Sequence, residues 1–125
     1  MLRATVLASA AFALAIPGLP QTRPEVLSVA QAKIMGVTLP ACAYCPAPEY
    51  TSRARRAKIQ GTVGMEAVVT VDGRAQRISV IKGLDTGLDK KAVEAIKKWR
   101  FTPAHDADGR PVAISVPVDL TFSLI

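Results

Sequence analysis

Hydrophobic positions recur at every second residue along the last stretch of the chain. Val112, Ile114, Val116, Val118, Leu120, Phe122 and Leu124 alternate with Ala113, Ser115, Pro117, Asp119, Thr121 and Ser123. A period of two puts each set on its own side of a strand, so one long strand with a single apolar face is expected. Pro117 lacks the N–H that a ladder needs, which places this strand at a sheet edge or gives it a bulge. The same period runs through Val63, Met65, Ala67, Val69 and Val71, and returns in Ile78 and Val80. Asp72-Gly73 stands between the two runs and favours a tight turn, so they form a β-hairpin.

Between hairpin and last strand the period changes. Leu88, Ala92, Ala95, Ile96 and Trp99 recur at helical spacing, while Lys90, Lys91, Glu94, Lys97 and Lys98 take the other face. Pro103 ends what Trp99-Arg100-Phe101 begins. A shorter helix is expected after Tyr50, with Thr51 as its cap, Ala54, Ala57 and Ile59 as its small apolar positions, and Gly61 as its C-cap. Tyr50, just before the cap, can staple the first turn. Asp85, Asp89, Asp106 and Asp108 fall in turn or cap positions, where carboxylates bond backbone N–H groups.

The order is helix, strand, strand, helix, strand. With each strand apolar on one side, the expected fold is α+β: a two-layer sandwich of a three-stranded antiparallel sheet with two helices on one face. The last strand can pair beside the first and leave its other side open. Val69, Ile96, Trp99, Phe101 and Phe122 are expected in the core.

Composition bounds the rest. The 125 residues allow one domain and some additional segments. Only 5% are aromatic, so the core is built mainly from Val, Ile, Leu and Ala, and a crosslink would help a domain of this size. Residues 1–20 open with Arg3, continue as an apolar run from Ala4 to Ile16 and break at Pro17, Gly18 and Pro20. That layout predicts a signal peptide, or a weak N-terminal anchor if it is not cleaved. Residues 21–47 are expected to be a linker or N-terminal arm in which Val26 to Met35 makes a helical turn or two, and residues 48–125 the domain. Export to a periplasm follows. The formal charge of +6 then points to acidic partner segments or an anionic envelope surface, or to a solvated basic face, and not to nucleic acid.

Cys42 and Cys45 allow four readings: a disulfide, a thioredoxin-like redox pair, half of a metal site, or free thiols. An oxidising compartment favours the disulfide. Prolines on both sides lack the strand–helix context of a redox pair, and His105, the only histidine, lies far along the chain for a metal. Spacing suggests no catalytic triad and no phosphate-cradling loop, so neither enzyme activity, a cofactor nor a metal is expected.

Taken in order, PEYTSRARRAKIQGTV, the Val-rich strand with Asp72-Gly73, LDKKAVEAIKKWRFTPA and DGRPVAISVPVDLTF resemble the TonB C-terminal domain family, from about Pro48 to Leu124. The resemblance implies a periplasmic module of outer-membrane transport that takes up a receptor's extended segment as an extra strand beside its last one. It implies partner contacts at Pro48, Tyr50, Ala113, Ser115, Pro117, Asp119, Thr121 and Ser123. Thr51 departs from the family's usual proline. Family transducers also have a membrane helix and a long proline-rich spacer; here residues 21–47 reach only about 90 Å when fully extended. A proton-driven inner-membrane motor is therefore a partner only if the chain is anchored. The expected partners are outer-membrane TonB-dependent receptors or other envelope proteins, with a homodimer through the same edge a further option. Two other functions stand beside this one: a periplasmic thiol–disulfide protein using Cys42 and Cys45, and an envelope adaptor that keeps the fold but binds something else.

Overall fold

The structure, a computed structural model, describes residues 26–124. The expected signal peptide or anchor at residues 1–20 lies outside the described residues, as does the start of the expected arm. In chain order the elements are β1 (Val26–Leu27), α1 (Val29–Met35), β2 (Ala41–Tyr44), α2 (Ser52–Arg56), β3 (Gly61–Val69), β4 (Ala75–Lys82), α3 (Thr86–Lys98), β5 (Arg100–Thr102), β6 (Ala104–His105) and β7 (Pro111–Phe122).

The three expected strands are β3, β4 and β7, and they pair antiparallel with β3 in the middle. The β3–β7 register is unbroken from Gly61 opposite Phe122 to Val69 opposite Ile114. Alternation therefore puts Val63, Met65, Ala67 and Val69 on the same side as Leu120, Val118, Val116 and Ile114. Helices α2 and α3 cover one end of that side, where Ala54, Leu88, Ala92 and Ile96 bury against Val63, Met65, Leu120 and Phe122. Each helix starts where its cap demands. The Thr51 side chain accepts from the N–H of Ala54, and the Asp85 carboxylate accepts from the N–H of Leu88. Along α3 the fully buried residues are Leu88, Ala92 and Ile96, one on each successive turn.

Several expectations need correction. Helix α2 stops at Arg56, because Lys58 (φ +56°) takes the left-handed position and the N–H of Ile59 bonds back to the carbonyl of Ala54. Gly61 consequently opens β3 and is no helix cap. Strand β3 ends at Val69, and Val71 sits exposed in the turn. The sheet also has more than three strands: β1 runs parallel to β7, and the short β6 pairs antiparallel with it. Strands β2 and β5 form a separate two-stranded ribbon.

The arm differs most from expectation. Within residues 26–44 lie β1, α1 and β2, with Leu27, Ala32 and Val37 buried against Val69, Ala104 and Ile114. This second cluster lies on the same side of the sheet as the first, at its other end. Helix α1 forms in only seven residues because Ser28 and Gln31 make a reciprocal capping box and Gly36 (φ +71°) turns the chain out.

Cys42 and Cys45 are joined by a disulfide, with Cα atoms 6.1 Å apart. The bridge closes an irregularity in the β2–β5 ribbon, where Cys42 faces Phe101 and Tyr44 faces Arg100. Neither cysteine begins a helix. A four-residue ring removes about 2 kcal/mol of unfolded-state entropy in the loop-closure treatment. Replacing both cysteines with serine should therefore lower the melting temperature by roughly 10 °C. Thermal unfolding with and without a reductant checks this, and an oxidised wild type no more stable than the reduced one would contradict it.

Candidate functional site

Strand β7 has two differently filled sides. Along one it is bonded to β3 from Ile114 to Phe122. Along the other, Pro111 and Val112 meet His105 and Ala104, and Ala113 and Ile114 meet Val26 and Leu27. From Ser115 to Phe122 no strand pairs with this second side among the described residues. The change comes at Ser28. Instead of continuing beside Ser115, the chain uses the Ser28 hydroxyl to cap α1 and turns away.

The residues expected to meet a partner are thus divided. Ser115, Pro117, Asp119 and Thr121 lie on the open stretch. Ala113 is already opposite Val26 of β1, because the arm reaches this edge first. Pro117 is paired by register with Glu66, and it sits in the middle of the stretch whose outer side has no strand. Asp119 faces Gly64, and the Thr121 hydroxyl lies 3.0 Å from that of Thr62 across the β3–β7 pair. Ser123 follows the end of β7 and is exposed.

Tyr50 and Pro48 sit apart from one another in role. The Tyr50 hydroxyl donates to the carbonyl of Ile59 at 2.7 Å, and its ring meets Phe122 edge to face with centroids 5.5 Å apart. The Arg55 guanidinium lies 5.1 Å above the same ring. Tyr50 thereby ties both ends of α2 to the last core residue of β7. Pro48 lines a shallow cleft against α3 with Lys91, Ala95 and Lys98. Trp99 is half-buried, and its indole N–H donates to the carbonyl of Pro46 at 2.8 Å; Phe101 is half-buried beside it. Val69, Ile96 and Phe122 are buried. Removing the hydroxyl in Tyr50→Phe should cost about 1 kcal/mol, since the Ile59 carbonyl loses its donor. Urea unfolding measures this, and an unchanged midpoint would show that the bond contributes nothing.

What sequence reasoning missed at the site is the wall beside the open stretch. Val29, Leu39, Pro40 and Cys42 from the arm and Phe101 from β5 face residues 116–119 across a cleft of about 420 Å³. The Ser28-to-Gln31 spacing and Gly36 were the signals for α1. No local pattern marks its placement against β7.

This is the arrangement of a small α+β binding domain: helices on one side of a sheet, and a last strand with room for a neighbour. The family model described as "Gram-negative bacterial TonB protein C-terminal" matches residues 46–124. The chain belongs to this family, whose members are non-enzymatic binding and energy-transduction proteins. It is 37% identical over 78 residues to Protein TonB of Vibrio cholerae, covering 62% of this chain and 32% of that protein. To Protein tonB2 of Pseudomonas aeruginosa it is 40% identical over 80 residues, covering 62% and 30%. The chain spans about a third of the length of the curated relatives it matches. Among solved structures, the solution NMR structure of the Pseudomonas aeruginosa TonB CTD matches with a TM-score of 0.58 at 27% identity, covering 68% of this chain and 86% of that one.

Among the described residues no helix is long and apolar enough to cross a membrane. Exposed cations gather on the two helices of the family domain: Arg53, Arg55 and Arg56 on α2, and Lys90, Lys97 and Lys98 on α3. Surface pairing is slight. Arg53 meets Asp85 at 3.4 Å, and Lys91 lies between Glu49 and Glu94 at 3.5 and 3.6 Å.

Proposed function

We propose that this chain is a periplasmic docking module of outer-membrane transport. It takes up an extended segment of an outer-membrane receptor as a strand added to β7 between Ser115 and Phe122. The observation that carries this reading is the side of β7 that has no strand beyond Ile114 among the described residues. Unpaired N–H and C=O groups along a strand edge are a template for another strand: backbone bonds supply affinity, and alternate side chains supply selectivity. Membership of the TonB C-terminal family supports the same reading.

The test is a titration of the full chain with short peptides from the periplasm-facing segments of outer-membrane receptors, followed by amide chemical shifts. Shifts are expected along residues 115–122 and at their β3 partners. Amides of this stretch that stay unmoved at millimolar peptide would sink the proposal. Self-association by the same edge is a competing outcome, and would appear as shifts that depend on protein concentration without peptide.

A further inference from the structure

The cleft beside the open stretch is built jointly by the family domain and the arm: Phe101 and residues 116–119 lie within the matched segment 46–124, whereas Val29, Leu39, Pro40 and Cys42 precede it. We infer that the arm makes this chain selective for an aliphatic side chain on the added strand. The inference rests on the strand-addition reading and says what that site chooses.

A strand laid along Ser115–Phe122 directs alternate side chains to the two sides of the sheet. Those level with Val116 and Val118 point to the side that α2 and α3 cover, because Val116 and Val118 themselves pack there. On that side the neighbouring space is the cleft lined by Val29, Leu39, Pro40, Phe101, Val116 and Val118. Asp119, the one charged residue of the lining, turns its carboxylate to the other side of the sheet beside Gly64, so a polar side chain entering among these six apolar ones would lose water without gaining a hydrogen-bond partner. An aliphatic one would cover apolar surface that is otherwise wet, including Leu39, which is 49% exposed.

The wall is firm enough to discriminate. Its upper part is anchored by Leu27, Ala32 and Val37 in the second core cluster, and by the Thr38 N–H bonded to the carbonyl of His105. Its lower part is the ribbon that carries Cys42, paired with Phe101 and closed by the Cys42–Cys45 bridge. Leu39 and Pro40 lie between these two fixed points. The occupant must therefore fit the wall, since both anchors would have to move to make room.

Two capped nine-residue peptides test this on the full chain, one alternating threonine with valine and the other threonine with serine. Wild type is expected to bind the valine peptide about tenfold more tightly or better, as burying a valine would give. Leu39→Ser removes an exposed side chain and leaves the core intact, which an unchanged amide spectrum away from the cleft verifies. It should reduce the preference to under about threefold and leave the serine peptide's affinity as it was. Equal affinity of wild type for the two peptides overturns the inference, and so does a preference that survives Leu39→Ser undiminished. If neither peptide moves the amides of residues 115–122, strand addition itself fails, which is a separate result.

Discussion

Gly73→Val should be among the most damaging single substitutions in this chain, lowering stability by about 3 kcal/mol or more. Gly73 sits at φ +79° in the β3–β4 turn, a conformation that a β-branched residue adopts only with strain. The second cause is specific to this fold. A Cβ at Gly73 would run into the carbonyl oxygen of Phe101, a backbone atom that cannot swing aside. The turn is held there because the N–H of Phe101 donates to the carbonyl of Gly73 at 2.8 Å. Relief of the clash therefore breaks the bond and separates β5 from the hairpin. Gly109 supplies the control, since it has nearly the same φ, +81°, with nothing within 4 Å of an added Cβ. Gly109→Val should cost only the strain, about 1–2 kcal/mol. Urea midpoints of the two variants decide the matter. A difference of about 1 M between them is expected, and equal midpoints would mean that the contact with Phe101 is unimportant.

Ile96→Ala should come next, at about 3–4 kcal/mol, a large share of the 5–15 kcal/mol typical of a domain. Ile96 is wholly buried on α3 and belongs to the cluster that joins both family-domain helices to the sheet. With one tryptophan and three phenylalanines in the whole sequence, few large side chains are present to collapse into the space it leaves. Ile81 is the comparison. At 69% exposed on β4, its replacement by alanine should change stability by less than about 0.5 kcal/mol. A loss under about 1 kcal/mol for Ile96→Ala would show that α3 is not bound to the sheet through this residue.

Both predictions touch elements that were legible in the amino-acid order, and the reason is physical. The alternation from Val112 to Phe122 and the four-residue spacing of Leu88, Ala92 and Ile96 are periods of the backbone itself. They survive wherever one side of an element is buried. The Asp72-Gly73 turn was legible too, and so was the open side of the last strand from Ser115 to Phe122, but not its filling by β1 and β6 between Pro111 and Ile114. The features without a local signature are the non-local ones. Pairing of Cys42 with Phe101, or of Val26 with Ala113, joins positions that no local repeat connects. The arm looked like a linker because its buried residues, Leu27, Ala32 and Val37, are few and irregularly spaced. Its helix rests on one capping box and one glycine. Lys58 in the left-handed position is the smaller case: a non-glycine residue takes the turn that Gly61, three residues later, is chemically better suited to.

Among the described residues, strand β7 follows in the chain every strand it pairs with: β1, β3 and β6. During synthesis the hairpin and α3 can therefore form early, while the sheet waits for the last dozen of its residues to arrive. Contacts between such distant positions close slowly, because the intervening chain must first be ordered. Until that moment the edge of β3 that will receive β7 is bare, and Val63, Met65 and Val69 lack their neighbours Leu120, Val118 and Ile114. The interval before completion is when this chain is most exposed to wrong pairing, and a strand of almost the right pattern from any neighbour would fit the place that β7 has yet to fill.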